Sequence, residues 1–307
     1  MPTTSHILMI RPVDFKFNKE TASNNMFQEA SDHAKVQDCA LQEFDGYVEM
    51  LRKNGVNVLV VEDTLKPETP DSIFPNNWIS MHSGGELIIY PMFSPNRRVE
   101  RRADIVDLLK EKFYVKKVTD LSFYEAENLF LEGTGSLVLD RQNKIAYACL
   151  SIRTSEKVIE NYCAETGYTA IIFHGIDQNG FPIYHSNVMM CVADNFVVLC
   201  TAAIADREER EHVIESLTKS GKKIVEITLD QMNQFAGNVL QIKNRVEEKL
   251  IVMSEQAFKV LNQKQKEELS QFGRIIYAPL YTIEKNGGGS ARCMLAEIFL
   301  PELSTIN

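Results

Sequence analysis

Residues Gly135–His174, GSLVLDRQNKIAYACLSIRTSEKVIENYCAETGYTAIIFH, spell out one complete structural unit. Two apolar, β-prone runs, Gly135–Asp140 and Ile145–Ser151, flank the polar turn Arg141-Gln142-Asn143-Lys144, the pattern of a hairpin. A helical segment over about Ser155–Glu165 follows, then a strand at Ala170–His174. The same order recurs downstream. Val188–Val192 and Phe196–Cys200 form a hairpin around Asp194-Asn195, then a charged helix spans about Arg207–Ser220 and a strand Ile224–Ile227. A third copy comprises Val239–Ile242, Lys249–Met253, a helix over about Ser254–Gln271 and a strand at Arg274–Ala278.

Upstream, Glu86–Tyr90, a helix over about Arg98–Lys112 and Tyr114–Val118 make a unit without a clear first strand. Near the N-terminus lie a strand at Ile7–Arg11, a helix over about Asp32–Asn54 and a strand at Val56–Val61. The lone C-terminal strand Met294–Leu300 completes a fifth unit if the two ends of the chain join. Self-similarity at roughly fifty residues points to a stacked or propeller-like architecture. A closed ring also removes the exposed sheet edges that an open array must protect. The expected fold is α/β, with pseudo-fivefold ββαβ repeats. No Pro- or Ser-rich linker interrupts residues 1–307, which predicts one domain.

A formal net charge of −9 argues against a nucleic-acid or anionic-membrane partner, since phosphate binding needs clustered Lys and Arg. The only basic cluster, Arg97-Arg98 with Arg101-Arg102, is short and interrupted by Glu100. No run of eighteen apolar residues is present, so no membrane span is expected. The opening Met-Pro-Thr-Thr-Ser-His lacks the charged and apolar regions of a signal peptide. Six scattered cysteines without CxxC pairs predict reduced thiols, no zinc site and a cytoplasmic location.

One polar residue stands just ahead of the first strand of each unit: Asp71, Glu132, His185, Asn238 and Cys293, separated by 61, 53, 53 and 55 residues. Equivalent positions in a fivefold ring converge on one end of its axis, so these five are expected to share one site. Their chemistry is coherent. A cysteine nucleophile needs an imidazole, and the imidazole needs a carboxylate to orient it. A further carboxylate would bind a cationic or hydrogen-bond-donating substrate. Singly, each has a plainer explanation. A lone cysteine is usually core, and His185 reads equally well as structural. Glu132 beside two loop glycines reads as a solvated acid, Asp71 after Pro70 as a turn former, and Asn238 as a strand-entry cap. Gly287-Gly288-Gly289 before Cys293 allows close backbone approach, but no Gly-Lys-Ser/Thr follows to make a phosphate loop.

Five stretches carry a resemblance: Phe17–Asn25 (FNKETASNN), Pro70–Trp78 (PDSIFPNNW), Leu131–Ser136 (LEGTGS), Leu150–Thr154 (LSIRT) and Gly289–Cys293 (GSARC). In order and content they resemble the superfamily of arginine deiminases, dimethylarginine dimethylaminohydrolases and amidinotransferases. They are most similar to its bacterial amidinotransferase or citrulline-utilization-hydrolase branch. The likeness runs from Ile10 to the C-terminus. It implies the pentein fold, a five-bladed α/β propeller, and a cysteine hydrolase of citrulline, arginine or methylarginine working through a thiouronium-type adduct. By that resemblance Cys293 attacks the guanidino or ureido carbon. His185 protonates the leaving nitrogen and then activates water, while Glu132 and Asp71 hold the reacting group. Arg97 and Arg153 match positions that grip the substrate α-carboxylate.

One departure bears on substrate. Where the dimethylaminohydrolases carry a second carboxylate, this chain has Asn77. An amide cannot balance a guanidinium, but its NH₂ can donate to a ureido oxygen, which favours citrulline over arginine. The implied partner is a small amino acid, no metal or organic cofactor is implied, and a homo-oligomer is compatible with all of this. An amidinotransferase shares the first half-reaction and admits an amine instead of water. A non-catalytic binding protein on the same fold is the remote alternative; the intact Cys-His-Glu set and the acidic charge argue against it.

Overall fold

The computed structural model describes residues 3–30 and 35–303. Among the described residues the fifteen strands are β1 His6–Arg11, β2 Asn57–Glu62, β3 Ile79–His82, β4 Glu86–Ile89, β5 Lys117–Asp120, β6 Leu137–Asp140, β7 Ile145–Cys149, β8 Thr169–Phe173, β9 Met190–Val192, β10 Phe196–Leu199, β11 Lys223–Glu226, β12 Leu240–Lys243, β13 Lys249–Ser254, β14 Arg274–Ala278 and β15 Ala296–Glu297. They form five three-stranded sheets ordered β15-β1-β2, β3-β4-β5, β6-β7-β8, β9-β10-β11 and β12-β13-β14. In each sheet the first pair is antiparallel and the second parallel. A helix supplies the crossover to every parallel strand, as a parallel pair requires. The two ends of the chain do meet, since β15 pairs with β1.

The middle strands read as nearly continuous apolar runs because both their faces are covered; all of Phe196–Leu199 and of Leu250–Ser254 is buried. The helix Val36–Lys53 buries Val36, Ala40, Phe44, Tyr47, Val48 and Leu51, one stripe at helical spacing, against β1 and β2. The helix Glu156–Thr166 stops at Gly167, whose φ of 71° is the left-handed conformation that ends a helix cheaply only with glycine.

Several expected boundaries move. The missing first strand is β3, Ile79–His82. Its alternation is hidden because its polar residues are buried and satisfy one another: Ser80 Oγ lies 2.9 Å from His82 Nε2 and 2.6 Å from Tyr90 Oη. The helix expected over Ser254–Gln271 is two, Glu255–Val260 and Gln263–Ser270. Asn262 restarts it with a capping box to Gln265. β5 begins at Lys117, not Tyr114. The C-terminal strand shrinks to Ala296–Glu297. The start expected at Asp32 lies outside the described residues; the helix is described from Val36.

The most consequential shift is shared by several units. Gly135 and Val188 do not open strands but lie in one-turn helices, Gly133–Ser136 and Ser186–Met189. Pro75–Asn77 and Ala291–Met294 are similar turns near β3 and β15. These turns pack on one another. Pro75–Asn77 touches both Gly133–Ser136 and Ala291–Met294, and Gly133–Ser136 touches Ser186–Met189. Among the described residues no helix is long and apolar enough to cross a membrane, and no His/Cys/Asp/Glu group suits a metal ion.

Candidate active site

Glu132 stands at the mouth of the Gly133–Ser136 turn and is fully buried. The backbone there runs so close to the neighbouring turn that a Cβ on Gly133, at φ 47°, would meet the Asn76 carbonyl oxygen at 2.3 Å. Glu132 Oε1 accepts from the Phe93 N–H at 3.0 Å, and Oε2 meets His185 Nε2 at 2.7 Å. Arg153 Nη1 and Arg97 Nη1 lie 3.4 and 3.9 Å from Oε2. Burial opposes the charge, but Arg153, the His185 hydrogen bond and Arg97 hold this carboxyl well below the usual carboxylate range.

Burial pushes His185 down to about 4, against the pull of Glu132 and with help from Arg153 and Arg97. At neutral pH the imidazole is therefore uncharged. Its proton sits on Nε2, facing the carboxylate, and Nδ1 carries the lone pair. Unfolded histidine takes up a proton near 6.5, which folded His185 refuses until about 4. Stability should therefore fall as pH drops through that window, by about 3 kcal/mol across it. Urea melts at pH 7 and pH 5 check this: His185→Gln should lose less stability between them than the wild type. Equal losses would show that His185 titrates normally.

His185 Nδ1 and the Asn77 amide approach the same point. A Cβ on Gly135 would lie 2.9 Å from His185 Nδ1 and 2.4 Å from Asn77 Nδ2, so only glycine permits this approach. Arg97 fixes which way Asn77 points. Arg97 Nη1 donates to Asn77 Oδ1 at 2.8 Å, and arginine can only donate, so the NH₂ turns away from it. That NH₂ is buried and has no hydrogen-bond partner.

Arg97 itself differs from expectation. It is buried, chelated by Glu100 at 2.9 Å through both Nε and Nη2, and bonded to the Asp71 and Phe74 carbonyls. Its donors are engaged inside the protein, and one of them fixes Asn77.

Cys293 is buried in the turn Ala291–Met294. Asn238 Nδ2 lies 3.2 Å from its sulfur and Asn187 Nδ2 3.4 Å. Asn187 is two residues beyond His185, so the turn that carries the imidazole reaches the thiol. Asn238, expected to share this site, has its polar atoms engaged with Cys293, the Asn187 carbonyl and the Arg292 N–H.

Asp71 and Arg153 meet the segment Phe15–Glu29. Asp71 Oδ2 accepts from Asn18 Nδ2 at 2.7 Å and Thr21 Oγ1 at 3.2 Å, while Oδ1 is buried without a partner. Burial raises the Asp71 pKa, opposed by Arg97 and these hydrogen bonds. Arg153 donates through Nε (2.8 Å) and Nη2 to Asn24 Oδ1, and lies over the Tyr184 ring. Asn25 and Gln28 bond the carbonyls of 286–288, which ties this strap to the loop that leads to Cys293.

Asn187 and the strap residues Asn18, Thr21 and Asn24 were not assigned roles from sequence. The one available signal for Asn187 was its place two residues past His185, but a strand starting at Val188 would have hidden the turn that swings its amide toward the sulfur.

The family model described as N,N dimethylarginine dimethylhydrolase, eukaryotic, matches residues 11–300. No curated protein matches the chain. Among solved structures, the N-terminal domain of ArgZ, an arginine dihydrolase from the ornithine–ammonia cycle in cyanobacteria, bound to substrate, superposes with a TM-score of 0.76 at 19% identity, covering 96% of this chain and 98% of that one. Against full-length ArgZ the TM-score is 0.75 at 19% identity, with 98% of this chain covered but only 42% of that one. A dimethylarginine dimethylaminohydrolase, a histidine-to-glycine variant as its adduct with S-methyl-L-thiocitrulline, gives 0.66 at 16% identity, covering 96% and 100%. At these identities the structures share a fold. The family match spans nearly the whole chain, and the chain belongs to the N,N-dimethylarginine dimethylhydrolase family, eukaryotic type.

Proposed function

We propose that this protein is a cysteine hydrolase that opens a carbon–nitrogen bond at the ureido or guanidino carbon of an arginine-like amino acid. Cys293 is the nucleophile, His185 the acid/base and Glu132 the orienting carboxylate. The observation that carries this is a buried imidazole bonded to a buried carboxylate, with a thiol held by two amides, one of them two residues past that imidazole, all from the turns that lead into three separate sheets. The family description and the arginine dihydrolase ArgZ name substrates of the same chemical class.

The five sheets then act as blades of one closed propeller domain. In support, the turns at Ala291–Met294, Pro75–Asn77, Gly133–Ser136 and Ser186–Met189 touch in sequence, and Asn238 bonds both Asn187 and Arg292 to complete the circuit.

In the first step the sulfur bonds to the substrate carbon and its proton passes to His185 Nδ1, directly or through one water. His185 returns that proton to the departing nitrogen as the C–N bond breaks. Water then adds to the same carbon, giving a proton to Nδ1, and the C–S bond breaks with that proton restoring the thiol. Glu132 holds the imidazole in the tautomer this needs. Asp71 Oδ1 accepts an N–H of the reacting group, and Arg153 takes the α-carboxylate once Asn24 withdraws its oxygen.

The substrate favoured is citrulline. A ureido group offers one oxygen to the free NH₂ of Asn77 and N–H groups to Asp71, whereas a guanidinium has no acceptor and would leave Asn77 facing a donor. Mass spectrometry of products from citrulline, arginine and methylarginines, with and without added glycine, tests the assignment. Ornithine from citrulline without an amine supports it; amine-dependent turnover means a transferase. Asn77→Asp should raise the arginine-to-citrulline rate ratio by about tenfold or more. An unchanged ratio would remove Asn77 from substrate choice.

A further inference from the structure

The reactive sulfur sits in a setting unlike that of the other buried thiols. Burial pushes Cys149 up to about 12 and Cys191 and Cys200 up to about 11, and none of the three receives a side-chain hydrogen bond among the described residues. Cys293 is equally enclosed, at 4% exposure, in the apolar cluster that also holds Phe15, Ile73, Phe74 and Met294. No lysine or arginine side chain contacts its sulfur among the described residues; what touches it are two amides.

The orientation of one amide is fixed independently of the sulfur. Asn238 Oδ1 accepts from the Arg292 N–H at 3.0 Å, and Nδ2 donates to the Asn187 carbonyl at 2.9 Å. Reversing it would set donor against donor and acceptor against acceptor. The remaining N–H of Asn238 therefore points at Sγ as a true donor. Asn187 turns its NH₂ to the same sulfur and leaves its own Oδ1 buried without a partner. Leaving a buried carbonyl oxygen unpaired costs free energy, which a hydrogen bond to a charged acceptor outweighs.

We propose that Asn187 and Asn238 form a two-amide seat that stabilises the Cys293 thiolate once its proton has passed to His185. The pair works on the sulfur as backbone N–H groups work on an oxyanion, with fixed dipoles in a water-poor site and no net charge. A neutral seat has an advantage over a cation here. It adds no positive charge that would pull the proton off His185. The proposal rests on Cys293 being the nucleophile, and both amides are positioning residues for it.

The test is the pH dependence of iodoacetamide alkylation, followed on the Cys293 peptide of the full chain by mass spectrometry. In the wild type the half-maximal rate at Cys293 should fall at lower pH than at the half-buried Cys39 and Cys163. Asn187→Ala and Asn238→Ala should each move the Cys293 midpoint up by about one pH unit, a roughly tenfold slower reaction below it. Asn238→Asp, similar in shape but anionic, should move it further. Removing Asn238 also frees the Arg292 N–H, so Asn187→Ala and the wild-type ordering are the readings independent of loop damage. A wild-type midpoint at or above those of Cys39 and Cys163, or one unmoved by Asn187→Ala, overturns the proposal. Turnover surviving in Cys293→Ser would instead strike the nucleophile assignment and leave the alkylation result standing.

Discussion

Cys293→Ser should lower turnover of every substrate by about 10⁴-fold or more, because the other two functional groups cannot replace a sulfur nucleophile. The exchange is nearly isosteric, and the Asn187 and Asn238 amides that face Sγ can donate equally well to a hydroxyl. Folding should therefore survive, and the loss should be chemical. A serine hydroxyl holds its proton far more tightly than a thiol. The imidazole available to take it is itself weakly basic, held near 4 by burial. Cys149→Ser, in a core position packed against Met189 and Ile183, is the contrasting control and should affect stability more than rate. Residual Cys293→Ser activity above about one per cent of wild type, on a nucleophile expected to carry the full covalent step, would contradict the assignment.

Glu132→Gln should lose about 10²-fold or more in rate, through the tautomer of His185. Both carboxylate oxygens of Glu132 face donors: the Phe93 N–H at one end and His185 Nε2 at the other. Glutamine has one oxygen and one NH₂. The Phe93 amide cannot change its role, so it keeps the oxygen and the NH₂ turns to the imidazole. His185 must then move its proton to Nδ1, the nitrogen that faces Asn77 and has to act as base. Arg97 and Arg153 also lose a buried counter-charge, so some stability will be lost with the activity. A changed pH–rate profile with retained folding separates the tautomer effect from general damage. A wild-type rate would show that the carboxylate has no part in catalysis.

The repeated strand, strand, helix, strand order was visible because the middle and parallel strands are apolar and the crossovers are amphipathic. The joining of the two termini into a fifth sheet followed from the same count. β3 was not visible, since its buried Ser80 and His82 satisfy each other and break the apolar pattern. The break at Asn262 was legible as a capping box but was overridden by the longer helical pattern around it. In the site, the spacing of Glu132, His185 and Cys293 pointed to one shared location; Glu132 and His185 are in contact, and Asn187, two residues past His185, reaches the Cys293 sulfur. The tasks of Arg97 and Asn238 could not be read, because both depend on tertiary partners: Glu100 and Asn77 for the first, Cys293 and Arg292 for the second. Asn187 was hidden for a geometric reason. A strand and a one-turn helix point the same side chain to different places.

The covalent step is open to a direct measurement. S-methyl-L-thiocitrulline carries a leaving group that departs without acid assistance, so at alkaline pH, where solvent base takes the thiol proton in place of His185, a His185→Gly variant can form the adduct but lacks the positioned base to hydrolyse it. Peptide mass spectrometry after incubation should find Cys293 alone modified, by the mass of the ligand less methanethiol. An unmodified Cys293, or the same mass carried by another of the six cysteines, would contradict a nucleophilic Cys293 served by His185.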